Sequence, residues 1–170
     1  MTKEEFIKVL KEKGRIEGDK VVVTRGENGH VILGSLETLP PGVEFRNRGA
    51  VNLRSLKTIP PGVEFRNGAD VWLESLETLP PGVKFENGGG VGLHSLETLL
   101  PGVKFENRGA VYFNSLKTIP PGVEFRNEGD VYLEPLIEGW FEKWGGNIEG
   151  ISPNRILNKM IADGLFDRRR

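Results

Sequence analysis

The side chains with the most catalytic character share one register. Glu74, His94 and Asn114 recur at intervals of twenty residues. A carboxylate beside a histidine can orient the imidazole and raise its basicity, as general acid–base catalysis requires. No activated nucleophile and no set of metal ligands completes this group, and the other histidine, His30, lies three units away. Glycoside hydrolysis needs two carboxylates about 5–9.5 Å apart. Asp70 and Asp130 are three units apart, which is about 14 Å if each unit adds one strand spacing. No phosphate loop, H-E-x-x-H or G-x-S-x-G occurs. The expectation is therefore no enzyme: no catalytic, cofactor-binding or metal-binding residues.

That register is part of a repeat of twenty residues, aligned without gaps at Val31, Val51, Val71, Val91, Val111 and Val131. The unit reads V-x-L-x-S-L-x-T-[LI]-P-P-G-V-x-F-x-N and ends in a Gly-rich corner. Residues 55–67 and 115–127 are the same string, SLKTIPPGVEFRN. V-x-L and V-x-F alternate, as strands do when one face is buried. One unit is too short to bury its own apolar face, so neighbouring units must stack into a continuous core. Pro-Pro-Gly and Asn-x-Gly turn the corners. Spacing of twenty excludes collagen, which needs glycine at every third residue. In-register stacking predicts an aromatic ladder of Phe45, Phe65, Phe85, Phe105 and Phe125. It also predicts an amide ladder of Asn47, Asn67, Asn87, Asn107 and Asn127, and matching columns of Ser35 through Ser115 and Thr38 through Thr118.

The predicted fold is mainly β: a parallel β-solenoid, leucine-rich-repeat-like, of about six 20-residue coils with an α-helix capping each end. Residues 1–30 read as an N-terminal cap, a helix followed by an irregular first coil. Thr2-x-x-Glu5 resembles a capping box, and Phe6, Val9 and Leu10 share a helical face before Gly14. Residues 31–136 form the solenoid. Residues 137–170 read as an aromatic and helical C-terminal cap, with Trp140, Phe141 and Trp144 over the last coil and a helix starting at Ser152-Pro153. Arg168, Arg169 and Arg170 read as a solvated terminus.

At 170 residues the chain is expected to form one structural domain. Lys+Arg is 23 and Asp+Glu is 24, a net charge of -1, which gives no general attraction to nucleic acid or anionic membrane. There is no cysteine, so disulfides and thiolate chemistry are excluded. The charged opening MTKEEFIKVLKEKG has no apolar stretch and does not read as a secretion signal, and no apolar run has the length of a membrane span. A cytoplasmic location and no membrane association are expected.

The outward positions separate into two kinds. On the V-x-F strand, Glu44/Arg46, Glu64/Arg66, Lys84/Glu86, Lys104/Glu106 and Glu124/Arg126 neutralise one another, which suggests a solubilising face. On the V-x-L strand the framework is copied but the outward residues are not. One column runs Ile32, Asn52, Trp72, Gly92, Tyr112, Tyr132, and the next Gly34, Arg54, Glu74, His94, Asn114, Glu134. Exposed Trp and Tyr among polar neighbours are common recognition anchors. Gly92 should leave a notch between Trp72 and Tyr112, which two strand spacings would place about 9.6 Å apart. The expected partner-binding set is Trp72, Tyr112, Tyr132, Arg54, Glu74, His94 and Asn114. The alternatives are that this ridge packs on a second copy as a homodimer, or that the aromatics stack on glycan or nucleic acid. The neutral charge speaks against nucleic acid.

The string V-x-L-x-S-L-x-T-[LI]-P-P-G-V resembles the short leucine-rich repeats of bacterial effectors, which present a parallel strand on one face and a proline-containing segment on the other. The usual L-x-x-N-x-L asparagine is missing after V-x-L. The asparagine follows V-x-F instead, at Asn67 and Asn107 for example, so a flatter β-solenoid stands beside the curved horseshoe as an alternative. Nearly the whole chain also resembles small repeat proteins carried by bacteriophages and prophages. The matching features are the TKEEF opening, residues 18–24 (GDKVVVT), the repeats and residues 140–166 (WFEKWGGNIEGISPNRILNKMIADGLF). That resemblance implies a host or defence protein as the partner, and no particular chemistry.

Overall fold

A computed structural model describes residues 1–133 other than 12, 118 and 121. The expected C-terminal cap, including Trp140, Phe141, Trp144, the helix from Ser152-Pro153 and the terminal arginines, lies outside the described residues.

The chain forms a parallel β-solenoid of six coils. It begins with one short helix, α1 (Lys3–Leu10), and a hairpin of β1 (Gly14–Glu17) and β2 (Lys20–Val23). The capping box at the start of α1 is present. Thr2 Oγ1 accepts from the Glu5 N–H at 3.1 Å, and Glu5 Oε2 accepts from the Thr2 N–H at 2.8 Å. Phe6 and Leu10 of α1 are buried in the core, but Val9 is 44% exposed. The helix therefore rests on its i, i+4 pair with Ile7 beside it, and not on the Phe6–Val9–Leu10 face. It stops at Lys11, which is left-handed at φ 46, ahead of Gly14.

Residues 20–30 are not an irregular coil throughout. Glu17 and Lys20 pair across the tight Gly18-Asp19 turn, and β2 then joins the V-x-F sheet in parallel, with Val21 opposite Val43 and Val23 opposite Phe45. The hairpin thus covers the edge that the first V-x-F strand would otherwise leave open. From β2 the sheet continues through Val43–Phe45, Glu64–Phe65, Lys84–Phe85, Lys104–Phe105 and Glu124–Phe125. A second sheet holds the V-x-L strands Val31–Ile32, Val51–Asn52, Val71–Trp72, Val91–Gly92, Val111–Phe113 and Val131–Leu133. A short third sheet pairs Thr78–Leu79 with Thr98–Leu99. Register is twenty residues at every V-x-L step, Val31 to Val51 and onward to Val131.

Both predicted ladders form. Successive phenylalanine rings from Phe45 to Phe125 stack with centroids 5.2, 5.1, 5.0 and 5.0 Å apart. Asn47, Asn67, Asn87 and Asn107 each clamp two coils: Asn67 Nδ2 donates to Ala69 O at 2.7 Å in its own coil and to Gly49 O at 3.1 Å in the preceding one. The glycine of every Pro-Gly step has φ between 72 and 88, the left-handed conformation that a type II turn demands at that position. Among the described residues, the serine and threonine columns form no such buried ladder. Thr38, Thr58, Thr78 and Thr98 are exposed.

The charged face of the V-x-F sheet is more than a solubilising surface. Glu44 points outward yet is 1% exposed, because three cations lie over it. Arg46 Nε approaches Glu44 Oε1 at 2.6 Å, Lys20 reaches it at 3.5 Å and Arg66 at 3.7 Å. Burial pushes the Glu44 carboxyl up, but the hydrogen bonds and charge of Arg46, with Lys20 and Arg66 behind, outweigh this and hold it below the ordinary carboxylate value. A depressed folded pKa means the stabilisation is present above the unfolded value of about 4.3 and is lost as pH falls below it. Glu44→Gln is accordingly expected to cost about 1–2 kcal/mol at neutral pH, since its partners are themselves partly solvated. The variant should converge on wild type in acid. Urea titrations over a pH series check this, and a constant difference at every pH would show that shape, and not charge, holds Glu44.

Candidate functional site

The variable V-x-L face carries a groove of about 420 Å³ across three consecutive coils. Asp70, Trp72 and Glu74 line one wall, Ala110 and Tyr112 the other, and Gly90, Gly92 and His94 lie between them. The floor is low because of the sequence: Gly90 and Gly92 leave this coil without side chains where both neighbours have them, Asp70 and Ala110 at the first position and Trp72 and Tyr112 at the second. The twenty-residue register sets Gly92 between Trp72 and Tyr112, so the notch expected from the column is where the groove forms.

The notch is partly filled from within. A Cβ placed on Gly92 would lie 3.4 Å from His94 Cε1 and 3.7 Å from Trp72 Cδ1. The imidazole and the half-buried indole therefore both lean toward the glycine. Across the groove, the His94 and Tyr112 rings are tilted with centroids 6.3 Å apart. Tyr112 is backed by Tyr132, stacked at 4.9 Å with planes 2° apart. These two tyrosines stay 41% and 46% exposed, so a stacked aromatic pair stands in solvent at the rim.

Arg54, from the coil before Trp72, lays its guanidinium over the indole at 4.7 Å from the ring centroid. Its Nε sits 3.1 Å from Glu74 Oε1. Among the described residues, the Glu74 carboxylate thus engages Arg54 in one direction of the column and makes no hydrogen bond to His94 in the other. The guanidinium is a permanent cation with several donors on a planar fork, which favours the carboxylate's turn toward Arg54. Asn114 is exposed and does not line the groove. Among the described residues, no three His, Cys, Asp or Glu side chains come together to hold a metal ion, and no helix is long and apolar enough to cross a membrane.

Two groove features escaped the sequence reading. Asp70 faces the groove, and its Oδ1 accepts from the Gly90 N–H at 2.7 Å. Gly90 and Ala110 continue the floor and far wall at the corner. The signal was available in the column before each repeat valine, His30, Ala50, Asp70, Gly90, Ala110 and Asp130, which varies as the aromatic column does. No family model matches the chain, and neither a curated protein nor a solved structure matches it significantly.

Proposed function

We propose that this protein is a non-enzymatic recognition module that docks a protein partner on the aromatic ridge of its V-x-L face. The observation that carries the reading is the pair of exposed, mutually stacked tyrosines beside a glycine-floored groove, on a face that varies while the framework is copied. Exposed aromatics are costly to leave in water and are the side chains that dominate protein interfaces. The ridge hangs on two laddered sheets, so its residues are preorganised and little ordering entropy opposes binding. Trp72, Tyr112 and Tyr132 serve as anchors, with Arg54, Glu74, His94 and Asn114 as the polar rim. The acidic residues in the groove wall disfavour a nucleic-acid backbone. The likeness to prophage repeat proteins supports a host or defence protein as the partner class and interference as the outcome.

The test is an affinity capture from bacterial lysate with wild type and the Trp72→Ala, Tyr112→Ala, Tyr132→Ala triple variant. The captured protein is then purified and titrated against both. Binding by wild type and loss of at least about a hundredfold in the variant are expected, with melting temperatures within about 5 °C of each other. Equal binding by both would remove the ridge as the site. Light scattering at two concentrations addresses the homodimer: a dimer that the triple variant dissolves would assign the ridge to self-association instead.

A further inference from the structure

Resting on that reading, we infer that the groove receives an arginine side chain of the partner, its guanidinium held between the rings of Trp72 and Tyr112 and against Asp70 and Glu74.

The unused hydrogen-bonding capacity of the groove is the first reason. The backbone carbonyls of its floor already accept within the solenoid: Gly90 O from the Val71 N–H, Gly92 O from the Leu73 N–H and Ala110 O from the Val91 N–H. Among the described residues, Asp70 and Glu74 each use one carboxylate oxygen, on Gly90 and Arg54 respectively, and the other oxygen of each has no partner. Among the described residues that line the groove there is no lysine or arginine. What the walls offer is negative charge and acceptors, so the complementary group is a cation rich in N–H donors.

The walls narrow the choice further. Phenylalanine ladder steps of 5.1 and 5.0 Å across these same coils place Trp72 and Tyr112, two coils apart, about 10 Å from each other by strand spacing. A guanidinium entering from solvent, outside the His94 imidazole that leans over Gly92, would lie about 5 Å from each ring, inside the cation–π limit of about 6 Å. A planar guanidinium can stack on a ring while its edge donates to a carboxylate, and an ammonium cannot. The ridge already holds one guanidinium in this manner. Arg54 lies over Trp72 and is paired with Glu74, and it does not line the groove. It therefore occupies the flank of the indole away from the groove and leaves the near side to a second cation.

The experiment titrates purified protein with the capped pentapeptide acetyl-Gly-Gly-Arg-Gly-Gly-amide and with its citrulline counterpart, which keeps the shape and loses the charge. The amide signals of Gly90 and Gly92 and the indole N–H of Trp72 are followed by NMR. Expected is a saturable shift with Kd on the order of 1 mM for the arginine peptide, weakened at least about tenfold for citrulline. Gly92→Val should abolish it by filling the floor. Its Cβ meets His94 and Trp72 at 3.4 and 3.7 Å and its two methyl groups must push those side chains aside, so its melting temperature is measured alongside. Asp70→Asn, which keeps an acceptor for the Gly90 N–H, should weaken it without relying on the valine variant folding. Equal response to both peptides, or no response at these three signals, overturns the inference. A partner that is captured by wild type and lost from the triple alanine variant would then leave recognition standing without the arginine. Capture indifferent to the triple variant would instead remove the recognition reading itself.

Discussion

Changing Asn87 to aspartate is expected to unfold the solenoid at neutral pH and to let it regain stability in mild acid. Asn87 is 1% exposed, and its Nδ2 faces three carbonyl oxygens: Gly89 at 2.8 Å, Ala69 at 3.2 Å and Gly90 at 3.2 Å. Aspartate has the same shape but sets a charged acceptor where the donor stood. No N–H is at hand on the other side, since the Oδ1 atoms of Asn47, Asn67, Asn87 and Asn107 are buried without a hydrogen-bond partner. An unpaired buried charge costs at least about 3–5 kcal/mol, against a total stability of about 5–15 kcal/mol for a domain. The carboxyl would escape by binding a proton, so its folded pKa lies above the unfolded value of about 3.9. The penalty is then complete at high pH and shrinks as pH falls through the folded pKa, the reverse of the Glu44 contribution. Denaturation of variant and wild type, compared at about pH 7 and about pH 4.5, reads this directly. A variant as stable as wild type at neutral pH would mean that the corner rearranges to supply a donor.

Phe85→Ala is the second large effect, an expected loss toward the upper end of about 3–5 kcal/mol. Phe85 is fully buried and stacked on both sides, on Phe65 at 5.1 Å and on Phe105 at 5.0 Å, with planes 4° and 7° apart. In a compact core the neighbours can partly close over a deleted ring. Here their spacing is fixed by strand pairing, with Phe65 opposite Phe85 and Phe85 opposite Phe105, so the void stays open and the lost contacts are not regained. Phe85→Leu keeps part of the volume and should cost about half as much. Denaturant midpoints at equal slope measure both. A cost for alanine no larger than for leucine would show that the rungs do close.

The repeat made much of the fold legible before any coordinate. An apolar pattern locked to twenty residues admits one register, and the Val, Phe and Asn columns fall where that register puts them. The notch at Gly92 was readable for the same reason, because a missing side chain between two large ones is a property of the column. Pairings that depend on direction were not readable. Glu74 stands one coil from Arg54 and one coil from His94, and only the balance of charge decides that it turns to Arg54. Burial of Glu44 likewise follows from where Lys20, Arg46 and Arg66 end, and side chains that long are not placed by spacing. The hairpin of β1 and β2 was hidden because GRIE holds one large apolar side chain, Ile16, too few to show a period, and its place comes from covering an edge. Val9 was misassigned because a short helix spans too few turns for its periodicity to single out one face.

The two copies of SLKTIPPGVEFRN at 55–67 and 115–127 bracket the groove, since Asp70 through Tyr112 lie between them. Recombination between the identical strings would excise three whole turns of the helix of strands, sixty residues, and rejoin the chain in phase. Each surviving valine and phenylalanine would still meet a counterpart one turn away. The shortened product would keep the hairpin start and the laddered interior while losing both walls of the groove together. The groove proposed for recognition is therefore a cassette, one that such an exchange would remove or duplicate as a block without renegotiating the architecture that carries it.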